Sequence, residues 1–83
     1  MQVMRMYLVN KRLDMNMSMR KTSIAADMDF HHYSRIERGE IARLDFLVIG
    51  RIAYALDISL DDLYEMEVIY QQERSGDVDD ITL

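Results

Sequence analysis

The chain has no cysteine, no proline and no tryptophan, and only three glycines in its 83 residues. Without cysteine there are no disulfides, thiolate metal sites or cysteine nucleophiles, a usage compatible with a reducing compartment. Without proline, and with Met, Leu, Ile, Ala, Asp, Glu and Arg dominant, the composition favours helices joined by short turns over strands. No apolar run approaches the roughly 18 residues that span a bilayer. The opening MQVMRMYLVNKRLD also lacks the continuous apolar stretch and cleavage site of a signal peptide. One small all-α cytoplasmic domain, with no membrane partner and no room for an elaborate active site, is the expectation.

Positive charge is scarce overall, with 10 Lys and Arg against 15 Asp and Glu for a net −5. That average conceals a division. Residues 1–44 carry eight basic and five acidic side chains, or +3, whereas residues 45–83 carry two and ten, or −8. A basic amino-terminal part is compatible with nucleic-acid contact, and the acidic half offers a surface for a protein partner.

Helical spacing of Met4, Tyr7, Leu8, Lys11 and Met15 predicts a first helix over roughly residues 3–15, with Asn16 suited to a left-handed C-cap. Ser18 is placed to cap a short second helix, SMRKTSIAA, that ends near Asp27. After the turn DMD, Asp29 is again a preferred N-cap, and FHHYSRIER reads as a third helix closed by Gly39. Two short helices joined by so short a turn form a helix-turn-helix pattern. Phe46, Ile49, Ile52, Ala53 and Leu56 form the apolar stripe of a fourth helix behind Asp45, interrupted by Gly50. Ser59 and Asp62 cap a fifth, with Leu60, Leu63 and Tyr64 expected inward and an end near Gln72. The division expected is therefore a compact five-helix domain over residues 1–72 and an acidic, flexible tail over residues 73–83.

Met17 to Gly39, with SMRKTSIAA, the turn DMD and SRIERG, followed by LDFLVIGRIAYALDISLDDLYE, resembles the lambda-repressor-like, Cro/CI-type helix-turn-helix domains over about residues 5–65. The resemblance implies a sequence-specific regulator whose third helix enters the major groove of double-stranded DNA. It implies base contacts from Phe30, His31 and Arg35. Phosphate contacts are implied from Ser18, Met19, Arg20 and Arg43, with His32 nearby. Arginine suits bidentate reading of guanine, and a ring can meet a thymine methyl. An ion pair between Arg12 and Glu37 is implied as scaffold.

The chain departs from the family at Met19 (usually glutamine), Asp27 (usually glycine) and Thr22 (usually leucine), and its loop after Gly39 is one residue longer. These departures, with the acidic second half, motivate the alternative of a protein-binding module such as an antirepressor or antitoxin-like partner. Adjacent residues on a helix point about 100° apart, so His31-His32 does not have metal-ligand spacing. No cofactor and no metal are expected. No nucleophile–base–orienter set appears either, so no enzyme activity is expected. Met66, Val68, Ile69 and Tyr70 extend the fifth helix's apolar character and suggest a homodimer.

Overall fold

The computed structural model describes residues 2–75, which form five α-helices: α1 (Met6–Asp14), α2 (Met19–Ala25), α3 (Phe30–Glu37), α4 (Phe46–Ala55) and α5 (Leu60–Ser75). No strand occurs among the described residues. Four helix starts are capped by side chains that accept otherwise unpaired amides: Ser18 from Lys21, Asp29 from His31 and His32, Asp45 from Val48, and Ser59 from Asp62.

The ends of α1 to α4 share one device. Asn16, Asp27, Gly39 and Asp57 all have positive φ. The amide beyond each bonds three residues into the helix: Met17 to Arg12, Met28 to Ser23, Glu40 to Arg35 and Ile58 to Ala53, at 2.8–3.0 Å. This is the Schellman arrangement, in which a left-handed residue lets the last free carbonyls find donors. Asparagine and aspartate tolerate that conformation better than other non-glycine residues, so Asp27 fills the turn position where a glycine is usual. Gly39 is required on two counts. Its φ is +81°, and a Cβ there would lie 2.1 Å from the Val3 carbonyl oxygen.

The core joins Leu8 of α1, Tyr33 and Ile36 of α3, Val48, Ile52, Ala53 and Leu56 of α4, and Leu63 of α5. Helix α2 and its C-cap add small residues instead: Thr22, Ser23 and Ala26 are buried. Both hydroxyls bond back to the helix, Thr22 to the Ser18 carbonyl and Ser23 to that of Arg20, so neither is buried unsatisfied.

The amino-terminal end differs from the sequence expectation. Helix α1 starts at Met6 rather than near residue 3, because residues 3–5 lie outside the helix and are bonded instead to the end of α3 and to α5. The Tyr70 hydroxyl donates to the Val3 carbonyl, and the Arg5 amide donates to the Glu37 carbonyl at 2.8 Å. The Arg5 side chain is fully buried. All five of its N–H groups are used: Nε and Nη2 on the Glu67 carboxylate, Nη1 on the carbonyls of Ile36 and Ile41, and Nη2 again on that of Ala42. Its guanidinium carbon lies 4.4 Å from the centroid of the Tyr70 ring. Burial by itself would lower the Arg5 pKa, but the hydrogen bonds and charge of Glu67 reverse this and hold it above its ordinary value.

Other inward positions are also reassigned. Leu60, Tyr64 and Phe46 are exposed, as are Met4 and Met15. Conversely Tyr70 is buried, so it belongs to the interior and not to an outer apolar strip with Ile69. Helix α5 also continues past Gln72, and Arg74, expected in the tail, donates to the Gly39 carbonyl at 3.1 Å. The first three residues of the expected tail, 73–75, thus belong to α5, and residues 76–83 lie outside the described residues.

Candidate nucleic-acid interface

Helix α3 has two contrasting sides. Tyr33, Ser34, Ile36 and Glu37 are buried, while His31, His32, Arg35 and Arg38 are exposed. His31, Arg35 and Arg38 follow one another at intervals of four and three, the spacing that lines residues along one helix face. The one acid within the helix, Glu37, is turned inward.

Glu37 stays inside because it is fully partnered. Arg12 of α1 donates to it from Nε at 2.5 Å and Nη2 at 3.1 Å, and the Tyr33 hydroxyl donates at 2.7 Å. A two-pronged arginine–carboxylate contact fixes orientation as well as charge. The Glu37 hydrogen bond outweighs partial burial and holds the Arg12 pKa above its ordinary value. Burial pushes the Tyr33 phenol pKa upward, and the bond to Glu37 adds to the rise. The result is a rigid tie from α1 to the inner side of α3, leaving the outer side to cationic and imidazole groups.

At the start of α3 the Asp29 carboxylate accepts the His31 and His32 amides at 2.9 and 3.2 Å. Its charge therefore faces the positive end of the helix, where it is partly compensated. Phe30 is half-buried. The Arg20 guanidinium of α2 lies 4.5 Å from its ring centroid, and the His31 ring meets it edge-on with centroids 5.5 Å apart. Arg20, Phe30 and His31 thus form one cluster across α2 and α3, uniting residues that the resemblance divides between phosphate and base contact.

Towards the end of α3, Glu40 lies between two arginines. Its carboxylate is 3.4 Å from Arg35 Nε and 3.1 Å from Arg38 Nη2, and both arginine side chains remain more than half exposed. Exposed pairs of this kind contribute about 0–1 kcal/mol each, so they are readily exchanged for another anion. The pairing of Arg35 and Arg38 one turn apart is visible in the sequence, whereas Glu40 as their common partner follows from the course of the loop after Gly39. The spacing of three between the arginines was the available signal.

The remaining expected contacts are placed unevenly. Ser18 is exposed at the head of α2 and its hydroxyl caps Lys21. Met19 packs its side chain against the core, so what it can offer an anion is its backbone amide. Arg43 is exposed but lines an apolar groove between α4 and α5, with Phe46, Leu60 and Tyr64. It is not part of the Arg20–Phe30–His31 cluster.

Among the described residues no helix is long and apolar enough to cross a membrane. Comparison of the chain with protein-family models, curated proteins and solved structures gives no match.

Proposed function

We propose that this chain is a sequence-specific DNA-binding transcriptional regulator, a small repressor of phage, plasmid or mobile-element type that acts by occupying an operator. In this reading α2 and α3 work as a helix-turn-helix. Helix α3 enters the major groove, Arg35 and His31 meet base edges, and Phe30 presents its ring edge to a thymine methyl. Ser18, Arg20, His32 and the α2 amino-terminal amides hold phosphates. Arg38 joins Arg35 on the contact face. A homodimer on paired half-sites is part of the proposal.

The single observation that carries it is the sidedness of α3. Its outer face has His31, Arg35 and Arg38 spaced along one line with His32 exposed beside them, and its only acid is locked on Arg12 behind them. Selection of bound sequences from random duplexes, followed by a salt titration of the best binder, tests the proposal. A regulator of this kind enriches a defined sequence and loses affinity steeply with salt, because bound phosphates release counterions. No enrichment would overturn it.

A second reading, a protein-binding module that keeps this fold without reading DNA, is favoured by Glu40, whose carboxylate lies against both outer arginines. It predicts that neither enrichment nor a steep salt dependence is found.

A further inference from the structure

The outward side of α4 is apolar and uncovered within one copy of the chain. Phe46, Leu47 and Tyr54 are 77%, 66% and 84% exposed. Their spacing around Gly50 puts all three on one side of the helix. A Cβ built on Gly50 meets nothing within 4 Å, and its φ lies outside the left-handed region. Neither packing within the chain nor backbone geometry therefore calls for glycine here, although glycine inside a helix is unfavourable relative to alanine. A missing side chain in the middle of an exposed apolar face does provide one thing, room for a second helix to approach closely.

Charge indicates which helix. Beside Gly50 a shallow depression of about 410 Å³ is bordered by Ala25, Asp27, Leu47, Arg51 and Tyr54. Arg51 and Asp27 are both exposed, and neither is in an ion pair among the described residues. The face therefore presents one cation and one anion, with none of the cationic excess that a nucleic acid requires. It carries both halves of an ion pair, which is the property of a surface that fits itself about a two-fold axis. Copies of a chain with net charge −5 repel one another elsewhere, and a neutral apolar face is where approach is least opposed.

We propose that the outer face of α4 is a self-association surface, on which two copies pack their α4 helices antiparallel and cross at Gly50. Tyr54 of each copy lies against Phe46 and Leu47 of the other, and Arg51 faces Asp27 of the second copy. The surface shares no residue with the outer face of α3 and stands whether or not the chain reads DNA.

Sedimentation equilibrium of the full chain, without DNA, tests this. The chain forms a dimer that Gly50→Leu and Tyr54→Glu each weaken about tenfold or more. Arg51→Asp weakens it as well, and adding Asp27→Arg restores it. Gly50→Ala separates interface from fold: it melts higher when dilute enough to be monomeric, yet dimerises less. Tyr64→Glu, in the neighbouring groove between α4 and α5, leaves association unchanged. A chain that stays monomeric to about 0.5 mM overturns the proposal, as does a dimer indifferent to Gly50→Leu. Loss of the dimer with Tyr64→Glu but not with Tyr54→Glu would assign the interface to that groove instead. A charge exchange that fails to restore association overturns the two-fold arrangement.

Discussion

Replacing Arg5 by methionine removes one charge and five hydrogen-bond donors from the interior while keeping an unbranched apolar stem. The Glu67 carboxylate, whose side chain is 14% exposed, keeps the Tyr7 hydroxyl at 2.5 Å and Gln71 Nε2 at 2.9 Å. Ile36 and Ala42 each keep one other donor, from the Gly39 amide and Gln71 respectively, whereas Ile41 has no other donor among the described residues. Breaking a buried pair from one side typically costs about 3–5 kcal/mol. Because Glu67 keeps two donors, the loss belongs near the lower end, about 3 kcal/mol. A domain of this size has only about 4–12 kcal/mol of stability in total. The melting temperature should accordingly fall by roughly 10–25 °C. Thermal unfolding followed by circular dichroism measures this directly. Arg5→Lys keeps the charge but not the planar fork, and should lie between the two. Adding Glu67→Met to Arg5→Met should recover part of the loss, since a matched apolar pair leaves no stranded charge. A fall of less than about 4 °C for Arg5→Met would refute the view that this residue ties the amino terminus to α5.

Three further outcomes are expected. Glu40→Gln should strengthen duplex binding by about two- to fivefold, because it frees Arg35 and Arg38 from an exposed pair worth at most about 1 kcal/mol; weaker binding in a fluorescence-anisotropy titration would contradict it. Gly39→Ala should destabilise by at least about 2 kcal/mol, combining a left-handed backbone with a Cβ driven into the Val3 carbonyl; an unchanged urea midpoint would count against the close approach. Glu67 has a lowered pKa, since its bonds from Arg5, Tyr7 and Gln71 outweigh the opposing effect of burial. Its contribution is therefore complete above the usual carboxylate range and is lost as pH falls through that range and below, so Glu67→Gln should flatten the acid limb of the stability curve.

The elements with local causes were legible in the sequence. Ser18, Asp29, Asp45 and Ser59 are short polar residues just before apolar-periodic segments, and all four cap helices. Asn16 and Gly39 likewise marked helix ends. The end of the second helix near Asp27 was also legible, whereas Asp57 was harder, because aspartate in the left-handed region carries less signal than glycine or asparagine. The inner side of α5 was hidden for a different reason. Its inward residues are Leu63, Glu67 and Tyr70, with Arg74 reaching over Tyr70, so half of the stripe is charged and apolar periodicity passes over it. The exposed Leu60 and Tyr64 drew the assignment instead. Arg5 was missed on the same ground: a hydrophobic pattern assigns arginine outward, and only the convergence of Glu67 and three carbonyls from distant segments makes its burial possible. At the candidate interface, the residue types on α3 were visible in sequence, whereas the stacking of Arg20 on Phe30 and the sharing of Glu40 depend on how helices and loop meet.

The most direct test of DNA reading by the outer face of α3 compares Arg35→Ala with the unaltered chain on a selected duplex and on a scrambled one. If Arg35 reads a base, the substitution costs about 1–3 kcal/mol on the selected duplex and much less on the scrambled one, so the preference narrows by about fivefold or more. Equal losses on both duplexes, or none on either, would contradict the role assigned to this face.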